Sequence, residues 1–318
     1  MSRYLITGAA GFIGSHLART LINDGHGVIG IDSFEDYYAR ELKEQNLAPI
    51  VDHSRFELLR ANLLDVPLAG ILDRVDAVFH TAAQAGVRAS WGASFDIYTR
   101  NNIAATQIIL ETLIDFPHVP LIYSSSSSVY GDTDTLPFNE NNRLRPLSPY
   151  GVTKLAAENL CQLYHKNFGL HTVSLRYFTV FGPGQRPDMA FHRFCKAALL
   201  QEPLVVFGDG GQTRDFTYID DIVGANLLAL RSPAGEIYNI GGGSRITLLD
   251  AIDKIARISG RKLNLEFKAK QKGDVKDTLA DISKAKRLLG YSPRYDVARG
   301  LQNEYKWIER IYLQGRQT

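Results

Sequence analysis

The sequence predicts a doubly wound α/β fold, a parallel sheet covered by helices on both faces, followed by a smaller mixed α/β lobe. Three observations predict it. Short apolar runs alternate with longer amphipathic stretches through the first half of the chain. Those runs are continuous rather than alternating, as strands read when both faces are buried. And a glycine-rich turn, Thr7-Gly8-Ala9-Ala10-Gly11-Phe12-Ile13-Gly14, stands between the first strand and the first helix, the place such a fold reserves for a phosphate.

Taken in order, Tyr4-Leu5-Ile6 reads as the first strand and Phe12 to Ile22 as the first helix. Val28 to Ile31, Phe56 to Leu59, Ala77 to Phe79, Leu121 to Tyr123 and Thr172 to Leu175 read as further strands. Asn101–Phe116 and Pro149–Phe168 read as helices. Their apolar residues, such as Ile103, Ile108, Leu110 and Leu113, do not fit one narrow stripe, so these helices are buried on two sides. A large core explains that, and so does a homodimer interface built as a helix bundle; the homodimer is the expectation carried forward. After residue 178 the texture changes to glycine-rich loops, Gly182-Pro183-Gly184, Gly208 to Gly211 and Gly241 to Gly243. The division expected is therefore a nucleotide-binding domain over 1–178 and a substrate-binding lobe over 179–318.

Size and composition exclude several classes. The chain has 318 residues, enough for about two domains, with about 74% of the unfolded surface buried. Hydrophobic residues are 45% and charged residues 22%, which rules out disorder and fibrous repeats. The 36 basic and 34 acidic residues leave a net +2 with no long run of one sign, so no nucleic-acid or anionic-membrane partner is expected. Cys161 and Cys195 are too far apart for a metal knuckle, and His16, His80, His165 and His192 show no ligand spacing, so no metal is expected. No apolar run is long enough to span a bilayer, and the N-terminus reads as a strand rather than a signal peptide. A cytoplasmic location is the expectation.

Gly8, Gly11 and Gly14 allow a tight turn, close approach to a pyrophosphate, and close helix–strand packing. The phosphates would sit on the helix N-terminus, where free N–H groups and the dipole favour an anion. Asp32 ends the second strand 18 residues past Gly14, near the spacing of a carboxylate that bonds an adenosine ribose. No arginine adjoins it to hold a 2′-phosphate, so NAD is expected over NADP. Thr81-Ala82-Ala83 puts small residues at the fourth strand's end, where a ligand can approach the backbone.

Tyr150-Gly151-Val152-Thr153-Lys154 opens a helix after Pro149. Positions i and i+4 share one face. A phenol with a pKa of about 10 is a poor base at neutral pH, and a neighbouring ammonium favours its ionised form. Tyr150 is then a general base with Lys154 beside it. Ser124 to Ser128 sit where the fifth strand ends. Any of these hydroxyls can reach a reacting oxygen, and the residues alone do not say which.

Together these motifs, with Val129-Tyr130-Gly131 and Arg214-Asp215-Phe216, resemble the extended short-chain dehydrogenase/reductase family, and within it the nucleotide-sugar 4-epimerases. Gly86 to Trp91 and Gln185 to Phe191 are similar to the UDP-glucuronate 4-epimerases. The resemblance covers nearly the whole chain. It implies that Tyr150, Lys154 and Ser126 are catalytic, and that a resident NAD oxidises C4 of a UDP-sugar and reduces it again from the other side. It implies cofactor contacts from Phe12, Ile13, Asn62, Leu63, Asn101, Ser124 and Tyr177. Substrate contacts would come from Arg88, Ser127, Ser128, Thr179, Arg186, Met189, Arg193, Phe207, Arg214 and Asp274.

Several positions depart from the family pattern. Asn62 stands where an aspartate is usual. Thr179 stands where UDP-glucose epimerases carry asparagine, and a hydroxyl there can bond a sugar carboxylate. Ser127 and Ser128 replace the Asp and Glu of the related 4,6-dehydratases, so dehydration is not expected. A uronate adds one negative charge beyond the diphosphate. Arg88, Arg186, Arg193 and Arg214 are the candidate counter-charges, because the guanidinium fork matches carboxylate and phosphate.

Overall fold

The computed structural model describes residues 1–132, 135–270, 273 and 275–313. Seven strands form one sheet: β1 Arg3–Thr7, β2 Gly27–Asp32, β3 Phe56–Arg60, β4 Ala77–His80, β5 Leu121–Ser126, β6 Thr172–Tyr177 and β7 Glu236–Ile240. Their spatial order is β7-β6-β5-β4-β1-β2-β3, and every pairing is parallel. The order reverses between β1 and β4. In an open parallel sheet that switch point leaves a crevice beyond the strands' carboxyl ends, where ligands bind.

Alternation along each strand divides the core in two. Tyr4, Ile6, Val28, Phe79 and Ile122 face one helical layer. Leu5, Ile29, Ile31, Val78, Leu121 and Tyr123 face the other. The first layer holds helix α1, Phe12–Asn23. The second holds α2, Ala105–Leu113, and α3, Pro149–Phe168. Each such side chain removed from water contributes about 2 kcal/mol, which is why continuous apolar runs specify this layer order.

Helix α3 matches its expected limits because its start is strongly coded. Pro149 takes the first turn, and the Ser148 hydroxyl accepts from the Gly151 N–H at 3.1 Å. The helix expected from Asn101 begins earlier. Its backbone is helical from Phe95 and passes through a π-helical turn, Thr99–Ala104, before α2. That wider turn faces the crevice, as such turns often do at functional sites.

The chain leaves the sheet after β6, close to the expected boundary at residue 178, and then returns to it. Strand β7 lies in the second half of the chain and pairs along β6. Its apolar content is too low to read as a buried strand, since Glu236 and Asn239 interrupt it. The rest of 179–313 carries short two-stranded ribbons, Val180–Phe181 with Thr217–Tyr218 and Leu204–Phe207 with Leu265–Lys268 among them. Helix α4, Ala190–Leu200, packs there against α5, Val297–Leu313.

Candidate active site

One cleft opens at the switch point. Its floor is made by glycines. Gly8 has φ +73°, and a side-chain carbon there would stand 2.8 Å from the Ala82 backbone. One on Gly14 would collide with the Gly8 carbonyl oxygen. Only glycine lets β1, the loop after β4 and the start of α1 meet this closely. Helix α1 begins with no side-chain cap and no acidic residue in its first turn. Its first N–H groups face the cleft with a positive dipole end, a cradle for a diphosphate.

Asp32 closes the cleft at the end of β2. Its carboxylate accepts from the Ala10 N–H at 2.9 Å and the Phe34 N–H at 2.8 Å. It therefore shapes the glycine loop as well as presenting a charge. Asn62 caps a short turn by accepting from the Leu64 N–H at 3.0 Å, which leaves its amide hydrogens for a ligand.

Neutral hydrogen bonds hold the strand ends. His80 bonds the Thr7 hydroxyl at 2.7 Å and the Thr106 hydroxyl at 3.0 Å. Thr106 itself donates to the Asn102 carbonyl at 2.7 Å, so it accepts from Nε2–H, and Nδ1 accepts from Thr7. Burial pushes the His80 pKa down to about 3, and Lys154 adds to that. His80 is thus a neutral brace. Asn102, in the π-helical turn, clasps Gln84 in both directions and donates to the Thr153 hydroxyl of α3 at 2.9 Å.

The structure resolves the serine ambiguity. Ser124 bonds Tyr177 at 3.1 Å, and Tyr177 in turn bonds Asn226 at 2.9 Å. Ser125 donates to Glu158 at 2.6 Å, and Glu158 is locked to the buried Arg176. Ser126 accepts from the Ser128 N–H at 3.1 Å and bonds the Tyr150 phenol. Tyr150, Lys154 and Glu158 lie at i, i+4 and i+8 on α3, so one face of one helix carries the base, the ammonium and the anchor to β5.

Burial pushes the Tyr150 phenol up, while the Ser126 bond and the Arg186 charge act against it. Arg186 thus adds a charge near the phenol that local spacing does not foretell. Lys154 is itself buried, which brings its ammonium down to about 7, with its Nζ 4.4 Å from the Tyr123 ring centre. Only the fold could place Arg186, 36 residues further along the chain, beside the phenol.

All the expected cofactor residues, from Gly8 and Asp32 to Asn101, Ser124 and Tyr177, line this one cleft. Tyr37, Tyr38, Lys43 and Gln84 line it too and were not anticipated; the aromatic pair after Asp32 was the available signal. These residues fit an NAD molecule: a glycine cradle at a helix start and a carboxylate at the end of β2.

The expected substrate residues divide. Arg186 reaches the cleft. Arg88 instead lies over the Phe207 ring at 4.4 Å, so the proposed uracil platform carries a guanidinium. Burial and the Arg88 charge both lower the Arg193 pKa. Arg214 donates to the carbonyls of Thr213, Val275 and Lys276, joining two segments beside the second lobe's ribbons. Thr179 is half-buried just past β6, its carbonyl accepting from Thr217 at 2.9 Å. Ser127 and Ser128 form the turn after β5, and Met189 precedes α4. Asp274 lies outside the described residues.

The model of the NAD dependent epimerase/dehydratase family matches residues 4–241. An uncharacterised UDP-glucose epimerase of Bacillus subtilis is 48% identical, over 98% of this chain and 99% of that one. A UDP-glucuronate 4-epimerase of Thermodesulfobacterium geofontis is 40% identical, over 96% of each. The crystal structure of a Bacillus cereus UDP-glucuronic acid 4-epimerase, in complex with UDP-glucuronic acid and NAD, superposes with a TM-score of 0.94. It is 46% identical, over 98% of this chain and all of that one.

Proposed function

This chain belongs to the NAD dependent epimerase/dehydratase family, and from that premise we propose that it interconverts UDP-glucuronate and UDP-galacturonate by NAD-dependent epimerisation at C4. The observation that carries the uronate reading is Arg186. A guanidinium beside the general base suits a sugar whose C5 bears a carboxylate, and a neutral hexose has no group to pair with it.

When bound, the oxidised nicotinamide supplies the two-electron acceptor and a further positive charge near the phenol. Tyr150 takes the proton of the 4-hydroxyl, and Ser126 bonds the same oxygen as it becomes a carbonyl. Lys154, one turn along the same helix face, lines the cleft with Tyr150 and is placed to bond the cofactor's ribose. Tyr150 returns its proton when the opposite face of C4 is reduced. The 4-keto uronate is a β-keto acid, which loses CO₂ when its C–C bond aligns with the carbonyl π system. Arg186, with the hydroxyls of Thr179, Ser127 and Ser128, restrains the carboxylate against that alignment.

Arg88, Arg193, Met189, Phe207, Arg214 and Asp274 are assigned to the UDP side, with 179–318 as the nucleotide-sugar lobe. The protein is further proposed to be a homodimer through α2 and α3. The exposed apolar Ile97, Val152, Leu163 and Phe168 supply a surface for that bundle. A cytoplasmic setting suits Cys161 and Cys195, both free and buried.

NMR of the products from UDP-glucuronate tests the reading. The galacto epimer is expected, with a C4 deuterium retained, from protein purified with NAD already bound. A UDP-pentose would make the protein a decarboxylase. Turnover of UDP-glucose alone would favour the second reading, suggested by the name of the Bacillus subtilis relative.

A further inference from the structure

The guanidinium of Arg186 is already held. Its Nε donates to Asp188 Oδ1 and its Nη2 to Asp188 Oδ2, both at 3.0 Å. A guanidinium offers paired N–H groups along two edges, Nε with Nη2 and Nη1 with Nη2. Asp188 occupies the first edge, so the terminal edge is what remains for a second carboxylate.

A third loop fixes the plane. The Tyr37 ring centre lies 5.8 Å from the Arg186 guanidinium carbon, and the Tyr37 hydroxyl reaches Asp188 at 3.4 Å. Tyr37 stands there because residue 86 is glycine: a Cβ on Gly86, at φ +108°, would collide with the Tyr37 hydroxyl. Tyr37 belongs to the loop after Asp32 that lines the cofactor cleft.

We propose that Asp188 is the positioning and specificity-determining residue of this site, presenting the terminal edge of Arg186 to the sugar carboxylate while Tyr37 steadies both. This rests on the uronate reading above. It makes uronate selectivity a property of a preset pair: the cost of ordering a long arginine is met before substrate arrives, and the neutral hydroxymethyl of a hexose gains nothing from it.

The test is binding of UDP-glucuronate, UDP-glucose and UDP to the NAD-loaded protein by calorimetry. The Asp188 side chain is 38% exposed, so Asp188→Asn folds. It is expected to weaken UDP-glucuronate about tenfold or more while UDP-glucose and UDP change less than twofold. Tyr37→Phe is expected to act in the same direction, about two- to threefold, because a 3.4 Å bond is weak. Equal losses for all three ligands would reduce Asp188 to a structural residue and overturn the proposal. Unchanged or tighter UDP-glucuronate binding would overturn it as well, since Asp188 would then be a bystander or a competitor for Arg186. If the unaltered protein shows no preference for UDP-glucuronate over UDP-glucose, the uronate reading itself falls, and this proposal with it.

Discussion

The two sides of the cleft are built from different materials. The cofactor side is backbone and neutral hydrogen bonds: the Gly8–Gly14 turn, the uncapped start of α1, and the Thr7–His80–Thr106 chain. The substrate side is long charged side chains from distant loops, Arg186 on Asp188 and Arg88 over Phe207. A backbone cradle is set once the strands pair, and it tolerates no added carbon. Arginines on loops are set by each other, so changing one alters selectivity before it alters the fold. A side built to keep one ligand and a side built to exchange another fit that contrast.

The sharpest way to break the comparison is Gly14→Ala. Its Cβ must push against the Gly8 carbonyl, a clash costing about 3 kcal/mol or more with no flexible neighbour to yield. The purified protein is expected to lack NAD by absorbance and to show no turnover. Retained cofactor would mean that the cradle is less rigid than its packing implies.

Tyr150→Phe comes next and separates chemistry from binding. Turnover is expected to fall 10²-fold or more, roughly 3 kcal/mol in the barrier, with NAD content unchanged because the cradle is untouched. A variant with near-normal turnover would remove Tyr150 as the base.

The smallest effect sharpens the boundary between the two sides. Lys154 is an ammonium in a buried place, with its pKa lowered to about 7. Between that value and the unfolded lysine's, the unfolded chain holds more protons than the folded one, so stability rises with pH across this window. Below about 7 the folded protein carries the full cost of the buried charge. Lys154→Met is therefore expected to raise the Tm of cofactor-free protein at pH 6 and to lose that advantage by pH 10. A Tm difference that ignores pH would mean Lys154 is solvated.

What could be read from the chain and what could not follows the same division. The first six strands are legible because nearly all are continuous apolar runs buried on both faces; edge strand β3, with only Phe56 buried, is the exception. Strand β7 is not, because Glu236 and Asn239 find partners outside the sheet: Lys284 bonds the first and Tyr130 the second. Gly8, Gly11, Gly14 and Asp32 are legible because their spacing within one βαβ unit is local, whereas Asn62, Asn101 and Tyr177 come only with the family resemblance. Arg214 bonds carbonyls of a segment some 60 residues away, contacts that local spacing does not encode, since arginine's five donors serve backbone as readily as a phosphate.

By itself the sequence determined the layer order of the sheet, the glycine cradle and the Tyr150–Lys154 face, because each depends on residues within a few turns of one another. Tertiary structure decided how the five serines are shared among Tyr177, Glu158 and Tyr150, that Arg186 stands near the phenol, and that Asp188 and Tyr37 hold Arg186. Apart from the pairing of Arg186 with Asp188, those outcomes join segments from about two dozen to about 150 residues apart, which strand pairing brings together and local spacing does not encode.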